Sequence, residues 1–266
     1  MKIGVVQIQS VLDPEENLKK IRQFLQLAKS EEAKAVFLPE VFYSMSDGLV
    51  PTPYVIQGED HHFRAIRDLA LSSGLYILGG SAATLVEGKI LNRSYNFSPD
   101  GELIDCYDKM NLFSCDLSKH PSNTVIDEGR IYSAGSLPKL IDVADFKLGL
   151  SICFDLRFPE LFRWYSYQGA NVLSVSSAFT VPTGKAHWHT LLRARAIENQ
   201  CYVVASAQWG KHNERISTYG HSLIVDPWGE VLVDAGEGEK IIFADLDLNK
   251  LEQVRSRLNV IRNPRL

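Results

Sequence analysis

The stretch Lys147-Leu-Gly-Leu-Ser-Ile-Cys153, continued by Phe154-Asp-Leu-Arg157-Phe-Pro-Glu160-Leu-Phe-Arg-Trp164, is where an apolar run of strand length gives way to an amphipathic helix. A cysteine at such a turn can be exposed, and the first N–H groups of the helix favour negative charge there. Structural cysteines occupy such turns too, so its meaning depends on the rest of the chain. Working outward, the run is matched near the N-terminus by Lys2-Ile-Gly-Val-Val-Gln-Ile8. Three more stations repeat in order: Ala35-Val-Phe-Leu-Pro-Glu40 with Asn171-Val-Leu-Ser-Val-Ser176, Leu75-Tyr-Ile-Leu-Gly-Gly80 with Cys201-Tyr-Val-Val-Ala-Ser206, and Pro99-Asp-Gly-Glu102 with Pro227-Trp-Gly-Glu230. Any one match could be chance among short strands; four in one order predict a duplication. Each Pro-x-Gly-Glu has β-prone sequence on both sides and reads as a hairpin turn.

Helical periodicity fills the gaps. Asp13 and Pro14 open a helix with Leu18, Ile21, Leu25 and Ala28 on one face, and Asp60 opens another that carries Phe63, Ile66 and Ala70 and ends at Gly74. A third follows Cys153 and stops at Gly169, a fourth spans about Lys185 to Asn199, and a fifth is capped by Asp247. The pattern predicts an α/β protein of two similar halves, each a sheet with helices on one face. The bare faces bury most simply against each other, which gives a four-layer α-β-β-α sandwich. Glu40 and Cys153 then fall at the ends of neighbouring-type strands, where such folds place their chemistry.

With 266 residues and 45% hydrophobic content the chain can bury a large core, and its formal charge of −4 gives no electrostatic reason to expect nucleic acid. No run of about twenty apolar residues is present to span a membrane, and Met1-Lys-Ile-Gly-Val-Val-Gln-Ile-Gln9 lacks the marks of a signal peptide, so a cytoplasmic protein is expected. Cys106, Cys115, Cys153 and Cys201 lack C-x-x-C spacing and should be free thiols. No metal is expected, because His187 and His189 sit two apart in a helix and face different ways.

Glu40 follows a run that should be buried, which sets its carboxylate at the rim of the core and suits it to act as a base on a thiol; the alternative is a capping or salt-bridging role. Lys109, in Tyr107-Asp-Lys109, would favour a thiolate and stabilise an oxyanion if it lay beside the cysteine. Glu128 lies in the small, polar loop Asp127-Glu-Gly-Arg-Ile-Tyr-Ser-Ala-Gly135. Together with Leu38-Pro-Glu40 and Cys153-Phe-Asp-Leu-Arg157-Phe-Pro-Glu160, this ordered set resembles the carbon–nitrogen hydrolase (nitrilase) superfamily from Lys2 to the fifth helix. Ser177-Ala-Phe179-Thr-Val-Pro-Thr183-Gly-Lys-Ala-His187-Trp188, Leu192-Arg-Ala-Arg195 and Tyr219-Gly-His-Ser-Leu-Ile-Val-Asp-Pro-Trp-Gly229 are similar to its Nit branch.

The resemblance implies a single hydrolase domain over 1–266 that needs no cofactor. It implies hydrolysis of a terminal amide of a small carboxylate-bearing compound, deaminated glutathione or α-ketoglutaramate, through a cysteine thioester with release of ammonia. Glu40 would be the base, Cys153 the nucleophile, Lys109 and the backbone N–H of Phe154 the oxyanion stabilisers, and Glu128 would orient substrate or help move a proton. Arg157, one turn after the nucleophile, is the candidate for the substrate carboxylate, against an ion pair with Glu160. Phe179 and Thr183 are placed to line the pocket, against core packing for Phe179. Two departures border the site: Asn111 stands where the family commonly has histidine, and the segment Ser114–Thr124 is long. Arg163-Trp164-Tyr165-Ser-Tyr167 has interface composition, which suggests a homodimer or larger assembly. A papain-type hydrolase lacks its histidine context here, a nucleotide-binding oxidoreductase lacks its glycine fingerprint, and a non-catalytic binding module would have little use for the charged neighbours of Cys153.

Overall fold

The computed structural model describes residues 1–117, 124–258 and 260. Among the described residues five α-helices, α1 Pro14–Ser30, α2 His61–Ser73, α3 Pro159–Tyr167, α4 Val181–Asn199 and α5 Leu248–Arg257, accompany two large sheets.

The duplication holds strand by strand. In the first sheet Lys2–Gln7, Ala35–Phe37 and Tyr76–Leu78 run parallel, Lys89–Phe97 joins antiparallel, and Leu103–Asp108 pairs antiparallel with it. In the second, Phe146–Ile152, Val172–Ser177 and Tyr202–Ala207 run parallel, then Leu223–Val225 and Val231–Asp234 follow antiparallel. Each first strand also has an antiparallel edge partner, Lys240–Asp245 in one sheet and Leu140–Val143 in the other. The first sheet adds Ser81–Val86 and Ile56–Gln57. Both Pro-x-Gly-Glu segments are hairpin turns, with Gly101 at φ +77 and Gly229 at φ +90.

Alternation of side chains sets the layers. Ile3, Val5, Ala35, Phe37 and Leu78 pack with residues of the second sheet, whereas Val6, Ile8, Val36, Leu38 and Ile77 pack with the apolar faces of α1 and α2. Phe162 and Tyr165 of α3 and Trp188, Leu192 and Ala196 of α4 cover the outer face of the second sheet. The result is the α-β-β-α order. Hydrogen bonds stitch the facing sheets: Ser176 Oγ donates to Gly79 O at 2.7 Å and Ser206 Oγ to Val6 O at 2.6 Å. Gly149 lets α3 approach, since a Cβ there would lie 2.6 Å from the Tyr165 ring.

The helix expected straight after Cys153 is interrupted. Residues Cys153–Arg157 form a 3-10 turn, and α3 starts only at Pro159. Proline disfavours helical backbone in the preceding residue, and Phe158 is extended at φ −107, ψ 90. The fourth helix begins four residues before Lys185, because Pro182 fits its first turn. No helix among the described residues is long and apolar enough to cross a membrane.

Candidate active site

Two turns, one from each half, bring Glu40 and Cys153 to one cavity. After Ala35–Phe37 the chain passes Pro39 and Glu40 and reverses at Val41, whose φ of +46 is costly for a β-branched residue. The Val41 N–H donates to Ser81 Oγ at 2.9 Å, which holds the turn. After Phe146–Ile152 the chain turns at Cys153 itself, at φ +50. A non-glycine residue in that region is held by its surroundings. Asp155 supplies the hold: fully buried, it accepts from Ile152 N (2.9 Å), Tyr107 Oη (2.7 Å), Asn111 N (2.9 Å) and Asn111 Nδ2 (2.8 Å). Burial raises the pKa of Asp155, against the pull of these donors. From outside, Arg195 donates to Leu156 O through Nε and Nη2.

Glu40 is 2% exposed and Lys109 1%. Glu40 Oε1 accepts from Lys109 Nζ at 2.8 Å and from Asn92 Nδ2 at 2.9 Å, and Oε2 accepts from the Ala178 N–H at 2.8 Å. Gln208 Nε2 holds the Glu40 carbonyl at 3.0 Å. Lys109 Nζ also donates to Glu128, which accepts from the Phe113 N–H through Oε2 at 2.8 Å. Gly135 docks on this strand end, where a Cβ would lie 2.3 Å from Asp108 O.

The charges set the protonation states. Burial works against the Lys109 ammonium, but Glu128 and Glu40 outweigh it and hold its pKa well above the ordinary lysine value. Burial raises the pKa of Glu128 more than Lys109 lowers it. Burial and then Glu40 push the Cys153 thiol well above its usual value, although Lys109 pulls the other way. Burial thus favours the thiol form of Cys153, with the Lys109 ammonium beside it to favour the thiolate once the proton moves.

A cavity of about 710 Å³ opens over these groups, with Glu40, Cys153, Asn92, Glu128, Tyr132 and Arg215 among its walls. Its geometry suits acyl transfer: a thiol, a buried glutamate, and a lysine beside them. A sequence model described as carbon-nitrogen hydrolase matches residues 2–256. The chain belongs to the carbon–nitrogen hydrolase family. This hydrolase is 38% identical over 247 residues to a Synechocystis sp. protein named deaminated glutathione amidase, covering 91% of this chain and 90% of that one. It is 33% identical over 264 residues to Homo sapiens omega-amidase NIT2, covering 99% and 95%. The structure of Saccharomyces cerevisiae Nit3, a member of branch 10 of the nitrilase superfamily, superposes with a TM-score of 0.84 at 31% identity over 100% of this chain and 97% of that one.

Glu40, Lys109, Glu128 and Cys153 thus meet at one site. Phe154 follows Cys153 directly, its ring 5.2 Å from that of Phe113. Arg157, Phe179 and Thr183 lie outside the cavity wall. Phe179 is packed in the core against Trp188, with ring centroids 4.8 Å apart, and Thr183 Oγ1 bonds Thr180 Oγ1 at 2.8 Å on the first turn of α4. Arg157 is half-buried between the rings of Phe154 and Phe179 and meets His187 Nδ1 at 3.2 Å. No ion pair joins it to Glu160 among the described residues. Burial lowers its pKa, and a negative charge on Cys153 would act against that shift.

The hairpin Ser114–Leu117 with Thr124–Asp127 carries the long segment, of which 118–123 lie outside the described residues. Asn111 has a structural task, as the side-chain donor to Asp155. Sequence reasoning missed Asn92, Asp155 and Gln208. The signal for Asn92 was present, since asparagine is depleted in strands and this one sits inside Lys89–Phe97. Asp155 carries no local signal that separates it from any acid near a helix start, and nothing local marks Gln208.

Proposed function

We propose that this hydrolase cleaves the ω-amide bond of a small carboxylate-bearing compound, deaminated glutathione or a close analogue, through a Cys153 thioester. One observation carries the substrate class: the half-buried Arg157 guanidinium, stacked on the ring of Phe154 next to Cys153 although outside the cavity wall, has no carboxylate partner among the described residues. A partly desolvated guanidinium without a carboxylate partner can take a substrate carboxylate bidentately. The relatives named deaminated glutathione amidase support the same reading.

In this reading Glu40 takes the thiol proton as Cys153 Sγ attacks the amide carbonyl carbon. Lys109 and the Phe154 N–H stabilise the oxyanion, and Glu128 orients substrate and keeps Lys109 aimed. The tetrahedral intermediate expels the amine, which takes its proton from Glu40. Water, deprotonated by Glu40, then hydrolyses the thioester and restores the thiol. The leaving amine depends on substrate. Ammonia leaves from an unsubstituted amide such as α-ketoglutaramate, but deaminated glutathione releases cysteinylglycine, which corrects the expectation of ammonia from both.

The second reading is an ω-amidase acting on α-ketoglutaramate, favoured by the relatives named omega-amidase. Both substrates yield 2-oxoglutarate, so its release is the common readout, while cysteinylglycine and ammonia separate them. The test presents deaminated glutathione, α-ketoglutaramate, a simple nitrile and an N-carbamoyl amino acid to the wild type and to Cys153→Ala. Expected is Cys153-dependent 2-oxoglutarate with the higher kcat/KM on deaminated glutathione. A ratio favouring α-ketoglutaramate installs the second reading, and preference for the nitrile or carbamoyl compound overturns both. Arg157→Ala should raise KM for either carboxylate substrate by about ten- to a hundredfold, the loss of a charge-assisted pair. An unchanged KM removes Arg157 from the site.

The whole chain, 1–266, acts as one hydrolase domain in this proposal. Its four free thiols suit a reducing, cytoplasmic setting. Exposed Trp164, Tyr167, Ile197 and Trp228 on and beside α3 and α4 suit a homodimer or larger assembly, which sedimentation would test.

A further inference from the structure

Three side chains that the reaction does not use converge on the far side of α4. His189 lies midway along that helix, His221 precedes the strand Leu223–Val225, and Asp234 ends the strand Val231–Asp234. His189 Nε2 is 2.8 Å from Asp234 Oδ2, and His221 Nδ1 is 3.1 Å from both carboxylate oxygens. One donor atom from each lies within 4.8 Å of the others. Their side chains are 36%, 23% and 29% exposed, which leaves the outward face of the cluster open to solvent. The sequence hides this set because its members come from three elements. The visible pair, His187 and His189, is not the relevant one, since His187 turns to Arg157.

We propose that His189, His221 and Asp234 form a binding site for a divalent transition-metal cation of the zinc class. Two imidazoles and a carboxylate are the donor set such borderline cations take, with water completing the shell. At bond lengths of about 2.0–2.2 Å, tetrahedral donors stand about 3.3 Å apart, so the two imidazole–carboxylate contacts open by a few tenths of an ångström while the two imidazole nitrogens, now within 4.8 Å of each other, settle at a similar spacing. The donors are already positioned. The His221 carbonyl accepts from Trp188 Nε1 at 2.7 Å, its ring stacks on Tyr219 with centroids 4.4 Å apart, and Asp234 Oδ1 accepts from the Gly236 N–H at 2.7 Å. These outer contacts fix ring and carboxylate orientation as second neighbours of a metal do. Without metal the carboxylate takes hydrogen bonds from the imidazoles; the cation replaces those protons, so the two states exclude each other.

The location gives the site a consequence. The cation ties the middle of α4 to the Tyr219–Ser222 loop, and the Tyr219 N–H donates to Phe179 O at 2.9 Å. Phe179 adjoins Ala178, whose N–H holds Glu40. Occupancy therefore fastens the segment that aims the carboxylate, without entering the cavity.

The test uses tag-free, full-length protein carrying Cys153→Ala, which removes the reactive thiol as a competing ligand. Zn2+ is titrated by calorimetry and Co2+ by visible absorption, and melting is followed with and without Zn2+. Expected is one cation per chain, a rise in Tm with Zn2+, and affinity about a hundredfold weaker in both His189→Ala and His221→Ala, with His61→Ala unchanged. If His221→Ala disturbs its packed loop, the more exposed His189→Gln decides alone. No binding by the parent, or equal binding by the parent and His189→Gln, overturns the proposal.

Discussion

The two halves share strand order and parallel core, yet each brings a residue to the cavity from a different station. Cys153 follows its strand where Ile8 follows the matching strand of the first half, and Ile8 is fully buried against α1 and α2. Glu40 occupies the station that Ser176 holds in the second half, and Ser176 is spent on the Gly79 carbonyl. A duplicated scaffold thus offers equivalent strand ends, and specialisation leaves one of each pair to packing. Glu40 and Cys153 come from opposite halves, so the cavity they line exists only because the sheets face each other.

The sharpest way to break this contrast is to cut the paired stations equally. Cys153→Ala should abolish turnover, by about ten-thousandfold or more as for other covalent nucleophiles, with little change in melting. Ile8→Ala should do the reverse, costing about 2–4 kcal/mol of stability while folded molecules retain their activity per site. Activity assays beside denaturant titrations read both. Unfolding of Cys153→Ala would make the cysteine structural, and an inactive but stable Ile8→Ala would show that the stations are not specialised as described.

Lys109 tests the bridge between halves. It follows the last strand of the first, bonds Glu40 and Glu128, and faces the thiol of the second. Lys109→Ala should lower kcat by about a hundredfold or more, as for loss of an oxyanion donor, and also destabilise by about 3–5 kcal/mol because it strands buried carboxylate charge. An effect confined to KM would remove the oxyanion role.

A smaller effect separates strain from chemistry. Val41 and Cys153 both have positive φ beside the site, one in each half. Val41→Gly relieves the left-handed penalty of about 1–2 kcal/mol, less the entropy glycine loses on folding, and should raise stability with kcat unchanged. A fall in kcat without loss of KM would show that the strained turn positions Glu40 actively.

The fold was legible because duplication writes the same periodicity twice, and hydrophobic alternation over β-strands survives in sequence. Glu40, Lys109, Glu128 and Cys153 were legible because each carries a recognisable neighbourhood. Asp155, Asn92 and Gln208 act through contacts 44, 52 and 168 residues away in the chain, and a contact of that separation leaves no local pattern. Phe179 and Thr183 show the opposite limit. Sequence placed them after the correct strand, but whether a side chain there turns to the cavity or to the helix layer is set by packing against Trp188 and Thr180.

The helices show the same division between halves at the smallest scale. In the first half α1 and α2 begin on aspartates whose side chains accept N–H groups, Asp13 from Glu15 and Asp60 from Phe63. In the second half α3 and α4 begin without a side-chain cap, entered through Pro159 and Pro182 straight from the turns that carry Cys153 and Ala178. The first half can spend its helix starts on stability; the second uses them to shape the site. Burial works to raise the Asp60 pKa, but the N–H groups of Phe63 and Gln57 outweigh it and hold it below its ordinary 3.8. A carboxylate with a depressed folded pKa stabilises above its unfolded value, and that contribution is lost as pH falls through the folded value. Asp60→Ala should therefore cost about 1 kcal/mol at neutral pH, with the difference from wild type shrinking below pH 3.8. Thr180→Ala, at the uncapped start of α4, should cost less at either pH. Equal losses at both helices would erase the contrast, and a pH-independent loss at Asp60 would assign its role to shape rather than charge.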